Sequence, residues 1–213
     1  MTRKTLLSIS FLLFLSAAPL LADNVQFTGT AAFDDPATGT SMSPYSGLLN
    51  GQAVDFFCVD YSTGVSSTSG WSATPTILTN SSSSYQNTLQ FQLTASNPTA
   101  LNNYLEMSWL IIQLQNAVNA GDINTAAQDE WAIWSFSGGL DPYGTNSTLL
   151  GQAQLAVQGG FTVSGWDILT PDAGQIGQEV IVVPTPEAGT LVLFLAGAAA
   201  FFGFGLVRKL ARQ

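Results

Sequence analysis

Residues 97–121 read NPTALNNYLEMSWLIIQLQNAVNAG, and this stretch decides the fold class because its apolar residues recur at helical spacing for several turns. Asn97 followed by Pro98 marks a helix start, Leu101, Leu105 and Ile112 fill one face, and Gly121 supplies the stop. A second helix is predicted from Asn124 through Gln128, Trp131 and Trp134 to Gly138-Gly139. A short third helix runs from Thr148 to Val157 and ends at Gly159-Gly160. Outward from this block the pattern changes to strands. Residues 25–33 and 53–60 read as strands, a third is expected near Trp71 within the Ser-, Thr- and Gly-rich stretch 62–84, and Thr88 to Ala95 alternates clearly enough to predict a fourth. Strands return at Phe161–Leu169 and Glu179–Val183. Between the first two strands, Asp34-Asp35-Pro36, Pro44 and Gly51 read as loop chemistry, and Ser81 to Ser84 as a loop tip. Strands, a helical insertion and strands again predict an α+β domain, a β-barrel or β-sandwich with a helical insertion.

Both ends of the chain carry a different signature. Residues 1–22 open with Arg3-Lys4, continue with an apolar run from Leu6 to Leu15, and close on small and helix-breaking residues up to Ala22, the layout of a signal peptide cleaved near that point. At the other end an uncharged run from Gly189 to Val207 precedes Arg208, Lys209 and Arg212. As a helix it is about 28 Å long at about 1.5 Å per residue, enough to span a bilayer core, whereas the competing reading is a buried core helix. With the cations on the cytoplasmic side, the positive-inside rule places residues 23–183 outside the cytoplasm. An exported domain between a signal peptide and a C-terminal transmembrane helix is therefore the expectation.

Charge restricts the chemistry further. The five basic residues all lie in the terminal segments, the fourteen acidic residues lie between Asp23 and Glu187, and there is no histidine. Without cations the middle domain is unsuited to phosphate backbones, so nucleic-acid binding is excluded as a function class. Histidine-dependent catalysis and His-ligated zinc are excluded for the same compositional reason. Asp34-Asp35 and the pair Asp55 and Asp60 could bind calcium, but neither has an EF-hand spacing, so no metal site or cofactor is assigned from the sequence. A uniformly negative domain favours cationic partners.

Pro184-Thr185-Pro186-Glu187-Ala188-Gly189-Thr190, followed by the apolar run and the basic tail, resembles the PEP-CTERM sorting signal of bacteria that build an extracellular polysaccharide matrix, with Ala188 where the family places a second proline. The resemblance spans residues 184–213, has Pro186 and Glu187 as its sorting motif, and implies an exosortase-type processing enzyme as a partner. Anchoring would then be at least transient.

The single cysteine, Cys58, has no intramolecular disulfide partner. Taken alone it reads as a small buried hydrophobe on a strand. Yet Phe57-Cys58-Val59-Asp60 and Ala127-Gln128-Asp129-Glu130-Trp131-Ala132-Ile133-Trp134 resemble the two signatures of the thioester domains of Gram-positive surface adhesins. In that family an aromatic-Cys-aliphatic motif on a strand pairs with a glutamine in an apolar-Gln-x-x-apolar motif. The resemblance implies an internal thioester between Cys58 and Gln128, with Trp131 and Trp134 shielding it from water and Asp129, Glu130 or Asp60 available as a base. For these three carboxylates the ordinary expectation is a solvated surface position, and for the two tryptophans an ordinary helix core. The implied function is covalent capture of an amine-bearing, lysine-rich surface or matrix molecule. The domain holds no side-chain amine that could consume its own thioester. Two other functions compete with it. One is noncovalent association with exopolysaccharide through exposed aromatics such as Trp71, Tyr85 or Trp166. The other is a carboxylate-pair hydrolase.

Overall fold

The computed structural model describes residues 22–66, 68–79 and 85–183. Six strands close into an antiparallel barrel: β1 (Asp23–Asp34), β2 (Ser41–Leu49), β3 (Gln52–Cys58), β4 (Gly70–Leu78), β5 (Trp166–Pro171) and β6 (Val180–Val182), in the order β1-β2-β3-β6-β5-β4. Of the two sheet architectures open to the sequence, the barrel is the one adopted. Closure removes the unpaired strand edges that a sandwich would leave. The helices α1 (Leu89–Thr94), α2 (Asn97–Ala120), α3 (Ile123–Ser135) and α4 (Asn146–Gln158) form one insertion between β4 and β5. Among the described residues no helix is long and apolar enough to cross a membrane. The predicted span 189–207, the sorting motif and residues 1–21 of the predicted signal peptide lie outside the described residues.

The long helix forms where its signals lie. Pro98 stands in its first turn, where a missing N–H leaves nothing unpaired, and Gly121 takes the left-handed conformation at φ +74° that ends it. Ala100, Tyr104, Met107, Ile111 and Leu114 are all buried, a single stripe at spacings of three and four. Asp122 then caps α3, its Oδ1 accepting a hydrogen bond from the Thr125 N–H at 3.1 Å.

Two apolar clusters divide the interior, and alternation along the strands assigns side chains to each. Phe56 and Cys58 of β3 join Val25, Phe27, Trp71, Leu169, Val180 and Val182 inside the barrel. Phe57, Ile168 and Ile181 point the other way, into the cluster that the helices cover. The end of β3, Phe56 to Cys58, and β6 are thus buried on both faces, which is why these two stretches are unbroken apolar runs.

Three expectations need correction, and the first is that residues 161–165 precede β5 and do not belong to it. Residues 41–49 are strand β2 rather than loop. Pro44 is accommodated because the β1–β2 register shifts between Ala31, opposite Tyr45, and Phe33, opposite Met42, so a residue without an N–H costs the ladder nothing there. Residues 88–95 are not a strand: Thr88 caps the short helix α1, and Gln90 is the buried member of an alternating run whose Leu93 is exposed. Polar contacts decide this conformation, since the Gln90 N–H donates to Tyr104 Oη at 3.1 Å and its Nε2 to the Phe136 carbonyl at 3.2 Å.

Candidate functional site

Cys58 ends β3, directly opposite Val180 of β6, and is fully buried. Its main chain is held on both sides by the helical layer. Its N–H donates to Ser43 Oγ at 2.9 Å, and Ser43 in turn donates to Glu130 Oε1 at 2.6 Å. Its carbonyl accepts from Trp134 Nε1 at 3.0 Å. The thiol itself donates to Oε1 of Gln178, with Sγ and Oε1 3.0 Å apart. The other end of that carboxamide is anchored as firmly, because Nε2 donates to the Asp60 carbonyl at 3.1 Å and to the Thr63 carbonyl. Two carbonyl acceptors on one side and a thiol donor on the other leave a single sensible orientation for the amide.

Gln178, two residues before β6, is fixed by its neighbours. A Cβ on Gly177 would come within 2.5 Å of the Trp71 ring, so only glycine lets the chain lie this close to the indole. Glu179 is buried, and its carboxylate accepts from Tyr104 Oη, from Thr170 Oγ1 at 2.6 Å and from the Leu89 N–H at 2.9 Å. Its carbonyl accepts from the Val59 N–H at 3.1 Å. Gln178 therefore sits between two pinned residues. Gly177→Ala is expected to push the strand off Trp71 and break the Cys58–Gln178 contact. Alkylation of Cys58 under native conditions should then rise at least tenfold over the parent protein, and an unchanged rate would show that the glycine is not needed for the placement.

No protein-family model, curated protein or solved structure matches this chain.

The residues singled out in the sequence do gather near Cys58, but in altered roles. Gln128, expected to meet the thiol, lies half-buried on α3, and the carboxamide that the thiol meets is that of Gln178. The α3 motif instead holds the cysteine main chain, through Trp134 directly and through Glu130 by way of Ser43. Trp131 and Trp134 are both buried, packed edge-to-face with centroids 5.1 Å apart, and Trp131 Nε1 donates to Asp35 Oδ2 at 3.0 Å. The carboxylates are not solvated surface groups: Asp129 is 1% exposed, Glu130 0% and Asp60 6%. Asp60 accepts from the Ser62 N–H at 2.9 Å and from Ser62 Oγ at 2.5 Å. Asp35 is engaged by Thr38, Trp131, Tyr143 and the Ala37 N–H. The aromatics considered for polysaccharide binding, Trp71, Tyr85 and Trp166, are buried at 3%, 0% and 7% exposure, so these three offer no exposed binding surface.

Burial, reinforced by Glu130 and Asp60, pushes the Cys58 thiol well above its ordinary value. A free Cys58 is therefore a neutral thiol, not a poised thiolate. Burial also raises Glu130 to about 8 against the lowering effect of Ser43, and Asp129 to about 7. One oxygen of each, Glu130 Oε2 and Asp129 Oδ2, is buried without a hydrogen-bond partner. Beside Gln178 a cleft of about 420 Å³ opens to solvent, walled by Phe27, Tyr45, Tyr61, Thr63 and Trp134. Phe27 stacks on Tyr45 at 5.3 Å, and Tyr61 leans on Trp134 at 5.6 Å, so aromatic rings and the polar residues Thr40, Ser41 and Thr63 share the approach to the carboxamide.

Proposed function

We propose that this is an exported surface protein in which Cys58 and Gln178 condense to an internal thioester that captures an amine on a surface or matrix partner. The observation that carries the reading is the buried thiol of Cys58 set 3.0 Å from the Gln178 carboxamide oxygen. In the condensation, sulfur bonds to Cδ of Gln178, the carbon–nitrogen bond breaks, and nitrogen leaves as ammonia carrying the thiol proton. No oxidant, metal or cofactor is consumed. The acyl group is then activated in the sense that covalent catalysis uses such intermediates, but here it serves one capture event and not a turnover. Two features favour persistence of the bond until a partner arrives. Cys58 is fully buried, which limits water on the sulfur side of the bond, and a sulfur whose thiol resists ionisation is a slow leaving group.

Export, retention by the C-terminal apolar segment and processing at Pro186-Glu187 belong to the same proposal, resting on the basic and apolar patterning of the two ends. The absence of lysine, arginine and histidine between Asp23 and Glu187 fits it too. A domain that carries an electrophile and a negative field, but no amine of its own beyond its N-terminus, attracts cationic amines without quenching itself. The test is the intact mass of the purified protein, with and without methylamine. A deficit of one ammonia, replaced by a methylamine adduct on Gln178 and absent from Cys58→Ala, is the expected result. A full mass with an alkylatable thiol after denaturation would overturn the thioester.

A further inference from the structure

We propose that the main-chain carbonyls of Asp60 and Thr63 form the acceptor site for the incoming nucleophile, and that they select primary amines over nucleophiles bearing a single N–H or O–H. The inference rests on the thioester reading and adds the specificity of the same site. In the uncondensed protein both carbonyls are occupied by the two hydrogens of Gln178 Nε2. Departure of ammonia leaves both acceptors without a donor. Capture is the same reaction run backwards with one hydrogen of ammonia replaced by an alkyl group. By microscopic reversibility, the attacking nitrogen therefore takes the place of the departed one. A primary amine brings two hydrogens there and satisfies both carbonyls in the tetrahedral state, where the nitrogen carries positive charge, and keeps one of those bonds in the amide product. A secondary amine or an alcohol restores one and leaves the other carbonyl unpaired.

The surroundings agree with that division of labour. Thr63 and Gln178 both line the aromatic cleft, so the alkyl substituent has a path outward between Tyr61, Tyr45 and Trp134 while the nitrogen faces the carbonyl pair. In capture, nitrogen bonds to Cδ of Gln178, the carbon–sulfur bond breaks with its electron pair passing to Sγ, and a proton from nitrogen ends on Cys58. The products are a secondary amide and a free thiol, so atoms and charge balance without a further reactant.

The discriminating experiment compares ethylamine with dimethylamine, isomers of equal size that differ by one N–H. Each adduct is followed by intact mass on the full chain, and each rate is divided by that of the same amine with a small alkyl thioester in solution. Loss of one hydrogen bond in the transition state is worth about tenfold, so the normalised ratio should favour ethylamine by about that factor. Methanol should give no ester. A deficit of one ammonia with equal normalised rates for the two amines would overturn the carbonyl-pair site alone. Absence of the deficit would overturn the thioester and the site together.

Discussion

Replacing Gln178 by alanine is expected to abolish the mass deficit of one ammonia completely, while Gln128→Ala leaves it in place. The two glutamines differ in what surrounds them. Gln178 receives the thiol on its oxygen and is held at its nitrogen by two carbonyls, so it starts condensation already in register with sulfur. Such positioning removes much of the entropic barrier to a bond between groups that are otherwise unreactive at neutral pH. Gln128 belongs to the helix whose neighbouring residues hold the cysteine main chain, and removing its side chain leaves the bonds from Trp134 and through Ser43 untouched. Gln178→Glu serves as the companion variant. It preserves size but replaces the donor that faces the Asp60 and Thr63 carbonyls by an acceptor, and a carboxylate does not acylate a thiol without activation, so it too should show no deficit. Persistence of the deficit in Gln178→Ala together with its loss in Gln128→Ala would return the bond to α3.

Stability should rise, not fall, when the protein is taken from pH 7.5 to pH 5.5. Burial is the first cause of the raised values at Glu130, about 8, and at Asp129 and Glu179, each about 7. Hydrogen bonds from Ser43 only partly offset it at Glu130, as do those from Thr170, Tyr104 and Leu89 at Glu179. Unfolded, these groups titrate near 4. Between those limits the folded state binds more protons than the unfolded one, so each group contributes stability that is full below about pH 4 and is lost as pH climbs towards 8. The slope is about 1.4 kcal/mol per pH unit for each group acting alone. Asp129 and Glu130 are adjacent, so their effects do not simply add. A rise in Tm of about 5 °C or more is expected over this interval, and it should shrink in Glu130→Gln. A flat or falling Tm would mean that these carboxylates are ionised in the fold. Further acidification reverses the trend. At Asp35, burial is outweighed by hydrogen bonds from Thr38, Tyr143, Ala37 and Trp131, which bring it to about 2, so its stabilisation is lost as pH falls from about 4 towards 2.

How much of this could be read in the sequence depends on the range of the interaction that sets each feature. The long helix α2 is set by its own residues, Pro98 at one end, Gly121 at the other and an apolar stripe between, so it was legible throughout. Helix α1 was not, because six residues span too few turns to show a period, and Leu89, Phe91 and Leu93 alternate as a strand would. Its conformation is decided by Thr88 and by Tyr104, which contacts Gln90 from the next helix. Strand β2 was hidden by Pro44, whose tolerance comes from a register shift against β1. At the site, Cys58 and the α3 motif stood out, and the two do meet. The carboxamide that meets the thiol did not stand out, since Gln178 reaches Cys58 only because the barrel closes β3 onto β6 across 120 residues of sequence. Gly177-Gln178-Glu179, a glutamine between a residue that must be small and a buried acid, is the local signal that marks it in hindsight.

The position of Gln178 at the threshold of β6 also determines how the protein would carry tension. With a partner joined to its side chain and the pull taken up by the chain beyond Val183, the covalent line between the two attachment points is residues 179–183, at most about 18 Å when fully drawn out. The barrel's other strands and the helical layer lie off that line. They could be torn open without lengthening the tether or releasing the cargo. An attachment at Gln128 would instead place residues 129–183 in series with the load and let the tether extend to about 190 Å. With the proposed thioester and C-terminal attachment, the domain would act under force as a short, inextensible link whose fold serves to make the bond and is not needed to keep it.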